Sequence, residues 1–151
     1  MGSRRAAEAK RYASPSMNSF RFKSSERVLS SQTIRVLRQF TVLSISEIRT
    51  RAANGQTLLE FPIFDNNWQD SRRIIMRLLA RIDSGQLPLD IYECSEVRGY
   101  SPEEELQPIG RFRERLQMLH EIALEQDMAR QLELGDIQSP EEYEPPDENE
   151  A

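Results

Sequence analysis

Residues 68–82 carry apolar side chains on one broad face at helical spacing, a pattern typical of a helix that packs on a core. The polar turn Asp65-Asn66-Asn67 precedes this segment, and Ser84-Gly85 follows it with Pro88 just beyond. Strand-like segments lie on both sides along the chain, so we predict a fold of mixed helices and strands. The apolar residues of the face are Ile74, Ile75, Leu78, Leu79 and Ile82.

The segments before this helix predict one strand and two helices. Phe20-Arg21-Phe22-Lys23 alternates apolar and charged residues, the period of a strand with one buried face. Apolar residues from Ser31 onward recur at helical spacing. Ser44-Ile45-Ser46-Glu47 is a capping box that predicts the start of a second helix, and Asn54-Gly55 suits its end.

Two more strands are predicted around the helix of residues 68–82. Residues 57–64 read as one strand, in which Pro62 favours a sheet edge or the end of pairing, and residues 89–94 read as the other. The predicted order is strand, helix, helix, strand, helix, strand. We therefore predict an α+β domain over residues 17–98.

The ends of the chain predict less structure. Residues 1–16 lack aliphatic periodicity, so we expect a disordered leader, with Met17 as an alternative start. Ser101-Pro102-Glu103-Glu104 resembles a helix start, and residues 111–134 carry an amphipathic pattern. We predict a helical extension over residues 101–135, packed on the domain or on a partner, with a homodimer left open. Residues 136–151 hold seven acids and no base and predict an acidic disordered tail.

The composition argues against several functional classes. The chain has 151 residues, one cysteine and one histidine, so neither a disulfide nor a zinc site with the usual ligand spacing is expected. Cys94 is interpreted as a small buried hydrophobe and His120 as a partly exposed helix residue. The sequence has no phosphate-binding glycine motif and no membrane-spanning run. We expect a cytoplasmic protein that is not an enzyme and binds no metal, cofactor or membrane.

Charge is distributed unevenly along the chain. Residues 1–27 hold seven Lys or Arg against two acids, whereas residues 100–151 hold fifteen acids against four Arg. Arg73, Arg77 and Arg81 are spaced by four and stack on one helix face, with Arg72 beside them. This face could meet the acidic tail, an acidic protein or a nucleic-acid backbone, or it could be solvated.

Residues 33–49 resemble the helix-turn-helix segment of the carboxy-terminal domain of the bacterial ribosomal stalk protein. Thr41, Leu43 and Glu47 match the family pattern, whereas Val42 and Ser44 replace its two glycines. The resemblance extends loosely over residues 31–94 and implies the compact domain of that family. The dimerising amino-terminal domain and hinge of the stalk protein have no visible counterpart, so the chain is not expected to be that protein itself.

The stalk resemblance also implies a mode of binding. In that family, basic and apolar residues of these helices recruit translation factors. The matching positions here are Ile34, Arg35, Arg38 and Arg49.

Our leading hypothesis is a non-enzymatic interaction module, of the adaptor or regulator class, for an unidentified protein partner. One alternative is an immunity-type protein that covers a toxin with its acidic C-terminal segment. Another is a protein that binds nucleic acid weakly through the arginines of residues 72–81. The predicted partner-binding residues are Ile34, Arg35, Arg38, Arg49, Arg73, Arg77 and Arg81.

Overall fold

The computed structural model describes residues 16–97 and 103–145, and these residues contain helices together with a four-stranded antiparallel sheet. The predicted α+β class is confirmed. In chain order the elements are β1 (Ser16–Ser24), α1 (Ser31–Leu37), α2 (Ile45–Ala53), β2 (Thr57–Pro62), α3 (Trp68–Asp83), β3 (Leu89–Val97), β4 (Glu103–Gln107), α4 (Ile109–Leu134) and a 3-10 turn (Pro140–Glu142). The chain forms two compact units, Met1–Gln107 and Pro108–Ala151. All of the predicted leader except Ser16 lies outside the described residues.

The sheet of the first unit has the strand order β2-β1-β3-β4. Strand β1 lies between two partners, so Phe22 sits opposite Leu59 on β2 and Ile91 on β3. Directly opposed residues share one face of a sheet. The aromatic ring of Phe20 lies 6.2 Å from that of Trp68 on α3. The face that carries Phe20 and Phe22 is therefore the face on which α3 packs.

The three helices of the first unit supply the other side of its core. Helix α3 buries Ile75, Leu78 and Leu79 completely, while Ile74 and Ile82 at the margins of its face are half-buried. Helix α1 buries Ile34, Val36 and Leu37, and helix α2 buries Ile48 and Ala52. Apart from Val36, these side chains follow the i, i+3, i+4 periodicity by which a helix presents one apolar face.

Helix α2 begins with a complete capping box. The Ser44 hydroxyl accepts a hydrogen bond from the Glu47 amide at 3.1 Å, and the Ser44 amide donates to the Glu47 carboxylate at 3.2 Å. We expect Ser44→Ala to lower the free energy of unfolding by about 1 kcal/mol, because the Glu47 amide loses the hydroxyl that accepts its hydrogen bond. Urea unfolding followed by circular dichroism measures this loss. Ser46→Ala, at an exposed position of the same turn, is the matched control and should cost nothing; equal losses in both variants would contradict the capping role.

Strand β4 corrects one prediction. Helix α4 begins only at Ile109, whereas residues 103–107, which were expected to begin the helical extension, pair with β3 and place Glu104 opposite Cys94. The Glu104 carboxylate contacts Lys23 at 2.6 Å and Arg21 at 3.1 Å across the sheet. These contacts and the backbone pairing favour a strand at residues 103–107. The local sequence alone predicted an acidic helix start there. Residues 101 and 102 of that predicted start lie outside the described residues.

The second unit is built on α4, which runs over 26 residues. It ends at Gly135, whose φ of 80° lies in the left-handed region that glycine adopts without steric cost. The buried residues of α4 are Phe112, Leu116, Leu119 and His120. The interpretation of His120 as partly exposed is therefore wrong, because His120 lies next to Leu119 on the apolar stripe and is 4% exposed.

The segment after α4 also differs from its prediction as a wholly disordered tail. Residues 140–142 form a 3-10 turn, and the Tyr143 hydroxyl donates a hydrogen bond to the Asp127 carboxylate at 2.9 Å. Burial, and then this hydrogen bond, raise the pKa of Tyr143 to about 12. Tyr143 thus attaches the described part of the tail to α4. The acidic composition of the tail did not predict this contact. Residues 146–151 lie outside the described part of the chain.

Candidate functional site

A surface cavity of about 260 Å³ lies between helices α1 and α2, and we call it the α1–α2 groove. Four residues predicted from the sequence come together there: Ile34, Arg35 and Arg38 from α1 and its C-cap, and Arg49 from α2. Ser31 and Ile45 complete the lining. The structure thus brings residues from two helices into one concave surface.

The local sequence explains how the groove is built. Ser30 caps α1 by accepting a hydrogen bond from the Thr33 amide at 3.1 Å, which fixes where the helix starts. On α2, Ile45 and Arg49 are four residues apart and so lie on the same helix face. Ile45 remains 42% exposed although Ile34 is buried. The groove therefore offers an apolar floor beneath a basic rim.

The three arginines of the groove lack direct partners within the described part of the chain. In the part of the chain that the structure describes, Arg35, Arg38 and Arg49 form no ion pair and no side-chain hydrogen bond. The acid of the first turn of α2, Glu47, is engaged in the capping box. By contrast, Arg51 of the same helix donates a hydrogen bond to the Thr57 carbonyl at 2.9 Å. Arg51 serves the fold, whereas the groove arginines remain available to a ligand.

A second cavity of about 380 Å³ lies between the segment after α1 and helix α3, and we call it the α1–α3 cavity. Its apolar residues are Phe40, Ile74 and Ala80, and its polar residues are Gln39, Arg77 and Arg81. Arg77 has no ion pair or side-chain hydrogen bond among the described residues, while Arg81 donates to the Gln86 side chain at 2.6 Å. This cavity repeats the chemistry of the groove.

The predicted arginine stripe of α3 is divided by its surroundings. Arg77 and Arg81 line the α1–α3 cavity, but Arg73 pairs with Asp70 at 3.4 Å and does not line it. Arg72 is only 7% exposed and belongs to the interior. Spacing by four located the cations correctly on the helix but could not show which of them have partners.

The residues that the sequence analysis missed are mostly apolar: Ile45, Phe40 and Ile74 line the two cavities but were read only as parts of helices. One signal was present for Ile45. It is the first residue of α2, immediately after the capping serine, a position that commonly lies at the surface.

The opposite face of the sheet carries an ion-pair network. Arg21 contacts Glu60 at 2.6 Å, Glu104 at 3.1 Å and Glu96 at 3.4 Å, and Lys23 contacts Glu104 at 2.6 Å. The hydrogen bond from Lys23, and then that from Arg21, lower the pKa of Glu104 against the opposing effect of burial. These cations are fully occupied, unlike those of the groove.

The lining residues of the two cavities in the described part of the chain include no His, Cys, Asp or Glu. Within the described residues, no three His, Cys, Asp or Glu side chains lie together in a way that could hold a metal ion. Cys94 is buried in β3, and burial raises the pKa of its thiol, which favours the unreactive protonated form. The two cavities therefore offer apolar contact and positive charge, the chemistry of binding.

Comparisons of the chain with protein-family models, with curated proteins and with solved structures give no match. Among the residues that the structure describes, no helix has the length and apolar character needed to cross a bilayer. Function is therefore inferred from the groove and the cavity themselves.

Proposed function

We propose that this chain is a non-enzymatic protein-interaction module, of the adaptor or regulator class, that binds an acidic segment of another protein in the α1–α2 groove. One observation carries the proposal: three arginines that have no partner among the described residues line a single concave surface together with two isoleucines. The resemblance to the stalk domain is itself a prediction, and it supports the same mode of binding. Three further predictions also stay predictions: the order of the elements, the packing of the long helix on the domain or on a partner, and a cytoplasmic location.

Charge supports an acidic partner. The chain carries a formal net charge of −5, yet the groove concentrates three arginines that form no ion pair among the described residues. Such a patch steers acidic partners towards itself and repels basic ones. Arginine is also enriched at the centres of protein interfaces, where its guanidinium can bind a carboxylate through two hydrogen bonds.

The apolar floor favours a protein segment over a simple polyanion. Burying apolar surface contributes about 25 cal/mol per Å² to the free energy of binding. The exposed part of Ile45 contributes this free energy only when an apolar side chain of the partner covers it. A nucleic-acid backbone would engage the arginines alone. On α3, moreover, Arg72 is buried and Arg73 is paired with Asp70, which leaves fewer cations for phosphates than the sequence implied.

A peptide selection on the full-length chain tests this proposal. A displayed library of random peptides should yield sequences enriched in Asp and Glu around an apolar residue. At about 150 mM salt, Arg35→Gln/Arg49→Gln should bind the best synthetic peptide about tenfold more weakly, since each lost charge contact contributes roughly 0.5–1 kcal/mol. Isothermal titration calorimetry measures the affinity, and circular dichroism checks that both proteins are folded.

The control is Arg27→Gln/Arg130→Gln, which removes the same charge at exposed positions outside both cavities. Because Arg130 contacts Asp127 at 2.6 Å, circular dichroism also checks that this variant is folded. It should change the affinity less than twofold. Equal weakening by the two double variants would show that only net charge matters and would contradict binding in the groove. The nucleic-acid alternative would be supported instead if a duplex oligonucleotide bound more tightly than every selected peptide and if Arg77→Gln abolished that binding.

A further inference from the structure

The α1–α2 groove and the α1–α3 cavity are adjacent along the chain. Arg38 lines the groove, and the next two residues, Gln39 and Phe40, line the cavity. Consecutive Cα atoms are about 3.8 Å apart, so the Cα atoms of Arg38 and Phe40 lie within roughly 7.6 Å of each other. A turn of three residues thus separates two concave surfaces.

The two surfaces also share one chemistry. Each has apolar side chains at its floor, isoleucines in the groove and Phe40 with Ile74 in the cavity. Each has at least one arginine without an ion pair among the described residues, and in the cavity this is Arg77. An occupant that satisfies one surface therefore has the properties needed for the other.

We propose that the groove and the cavity form one bipartite site, which binds a single acidic protein segment through two apolar anchor side chains, one in each surface. This inference rests on the proposed function and adds the chemistry of the partner. The occupant is a protein segment because both surfaces combine an apolar floor with a basic rim, and charge complementarity requires acids beside each anchor.

The geometry sets the spacing of the anchors. An extended segment advances about 3.3 Å per residue, so anchors three or four residues apart are separated by roughly 10–13 Å. Either separation exceeds the roughly 7.6 Å that bounds the distance between the Cα atoms of Arg38 and Phe40. Side chains three residues apart on a strand point to opposite faces, so a segment with this spacing must turn or twist between its anchors. Side chains four residues apart point to the same face, so both anchors can enter the two surfaces from one side of the segment. We therefore expect four-residue spacing to dominate.

Linking two anchors raises affinity because the second contact forms within the same complex. Once the first anchor is bound, the second meets its surface at a high effective concentration. We expect a peptide with both anchors to bind at least tenfold more tightly than the same peptide with one anchor changed to alanine.

The test uses the full-length chain and a random 15-residue peptide library, followed by the best synthetic peptide and a version with its second anchor replaced by alanine.

Ala80→Gln fills the α1–α3 cavity from an exposed position of α3 with another good helix former. Ala80→Gln should weaken the two-anchor peptide about tenfold and the one-anchor peptide less than twofold. Arg77→Gln should act in the same direction. Met76→Gln, at a neighbouring exposed position outside the cavity, is the control and should change neither affinity.

Three outcomes are distinguishable. If the groove variant Arg35→Gln/Arg49→Gln weakens binding while Ala80→Gln and Arg77→Gln do not, the groove acts alone and the bipartite site is wrong although the proposed function stands. Selected peptides with a single apolar anchor would overturn the bipartite site in the same way. If neither the groove variant nor the cavity variants weaken any selected peptide, the proposed function itself fails.

Discussion

Phe22→Ala is expected to lower the free energy of unfolding by about 3–5 kcal/mol, the range for deleting a fully buried phenylalanine. Phe22 is completely buried in β1, between Leu59 and Ile91 on the neighbouring strands. Its ring meets the ring of Phe61 edge-on, with centroids 5.7 Å apart. The substitution removes this contact and leaves a cavity that the sheet cannot close, because strand pairing on both sides holds the backbone in place.

Urea unfolding measures the loss. Trp68, the single tryptophan of the chain, packs near Phe20 and reports on the same core by fluorescence. Val42→Ala is the control, because Val42 is fully exposed and should change stability by less than about 0.5 kcal/mol. A loss below about 1 kcal/mol in Phe22→Ala would mean that Phe22 does not face the core.

The pattern around Phe22 shows how far local sequence can define a strand. Alternation of apolar and charged residues predicted a strand at residues 20–23, and β1 does include them. The strand begins four residues earlier, at Ser16, because backbone pairing with β3 continues from Phe20 through residues 16–19, which are mostly polar and carry no clear alternating signal. Where a strand has no apolar alternation, its extended conformation depends on pairing with the neighbouring strand.

Strand β4 was missed for a related reason. Its three consecutive glutamates have the composition of a helix start, and the cations that favour the strand, Arg21 and Lys23, are about eighty residues away in sequence. Local propensity is a weak prior against such tertiary contacts. Helices α1, α2 and α3 were easier to predict, because caps and apolar periodicity are local properties of the chain.

The candidate site was predictable only in part. Ile34, Arg35, Arg38 and Arg49 were chosen through a family resemblance, and the structure places them in one groove. Periodicity alone could not have paired α1 with α2. It also could not separate Arg77, which lacks a partner among the described residues, from Arg73, which pairs with Asp70. Exposure and pairing depend on the folded structure, and a binding surface is defined by both.

Arg21→Met is expected to destabilise the protein by about 1–3 kcal/mol near neutral pH, between the values for exposed and buried ion pairs. The Arg21 side chain is 23% exposed and contacts Glu60, Glu96 and Glu104. Methionine retains most of the apolar stem but leaves three carboxylates close together without their shared cation. Arg73→Met is the matched control: Arg73 contacts a single, largely exposed carboxylate, Asp70, so its loss should cost at most about 0.5 kcal/mol.

The pH dependence separates charge from packing in Arg21→Met. In the folded protein the pKa of Glu104 lies below its ordinary value of 4.5, through the hydrogen bond from Lys23 first and that from Arg21 second. A depressed carboxyl pKa stabilises the fold above the unfolded pKa, and this stability is lost as the pH falls through the folded pKa. The difference between wild type and Arg21→Met should therefore be largest near pH 7 and shrink as the pH falls below 4.5, because Glu104 no longer needs the cation once it is protonated. Urea unfolding of both proteins across this range measures the difference. A difference that stays constant would show that the arginine stem acts by packing, and that the ion-pair network contributes little to stability.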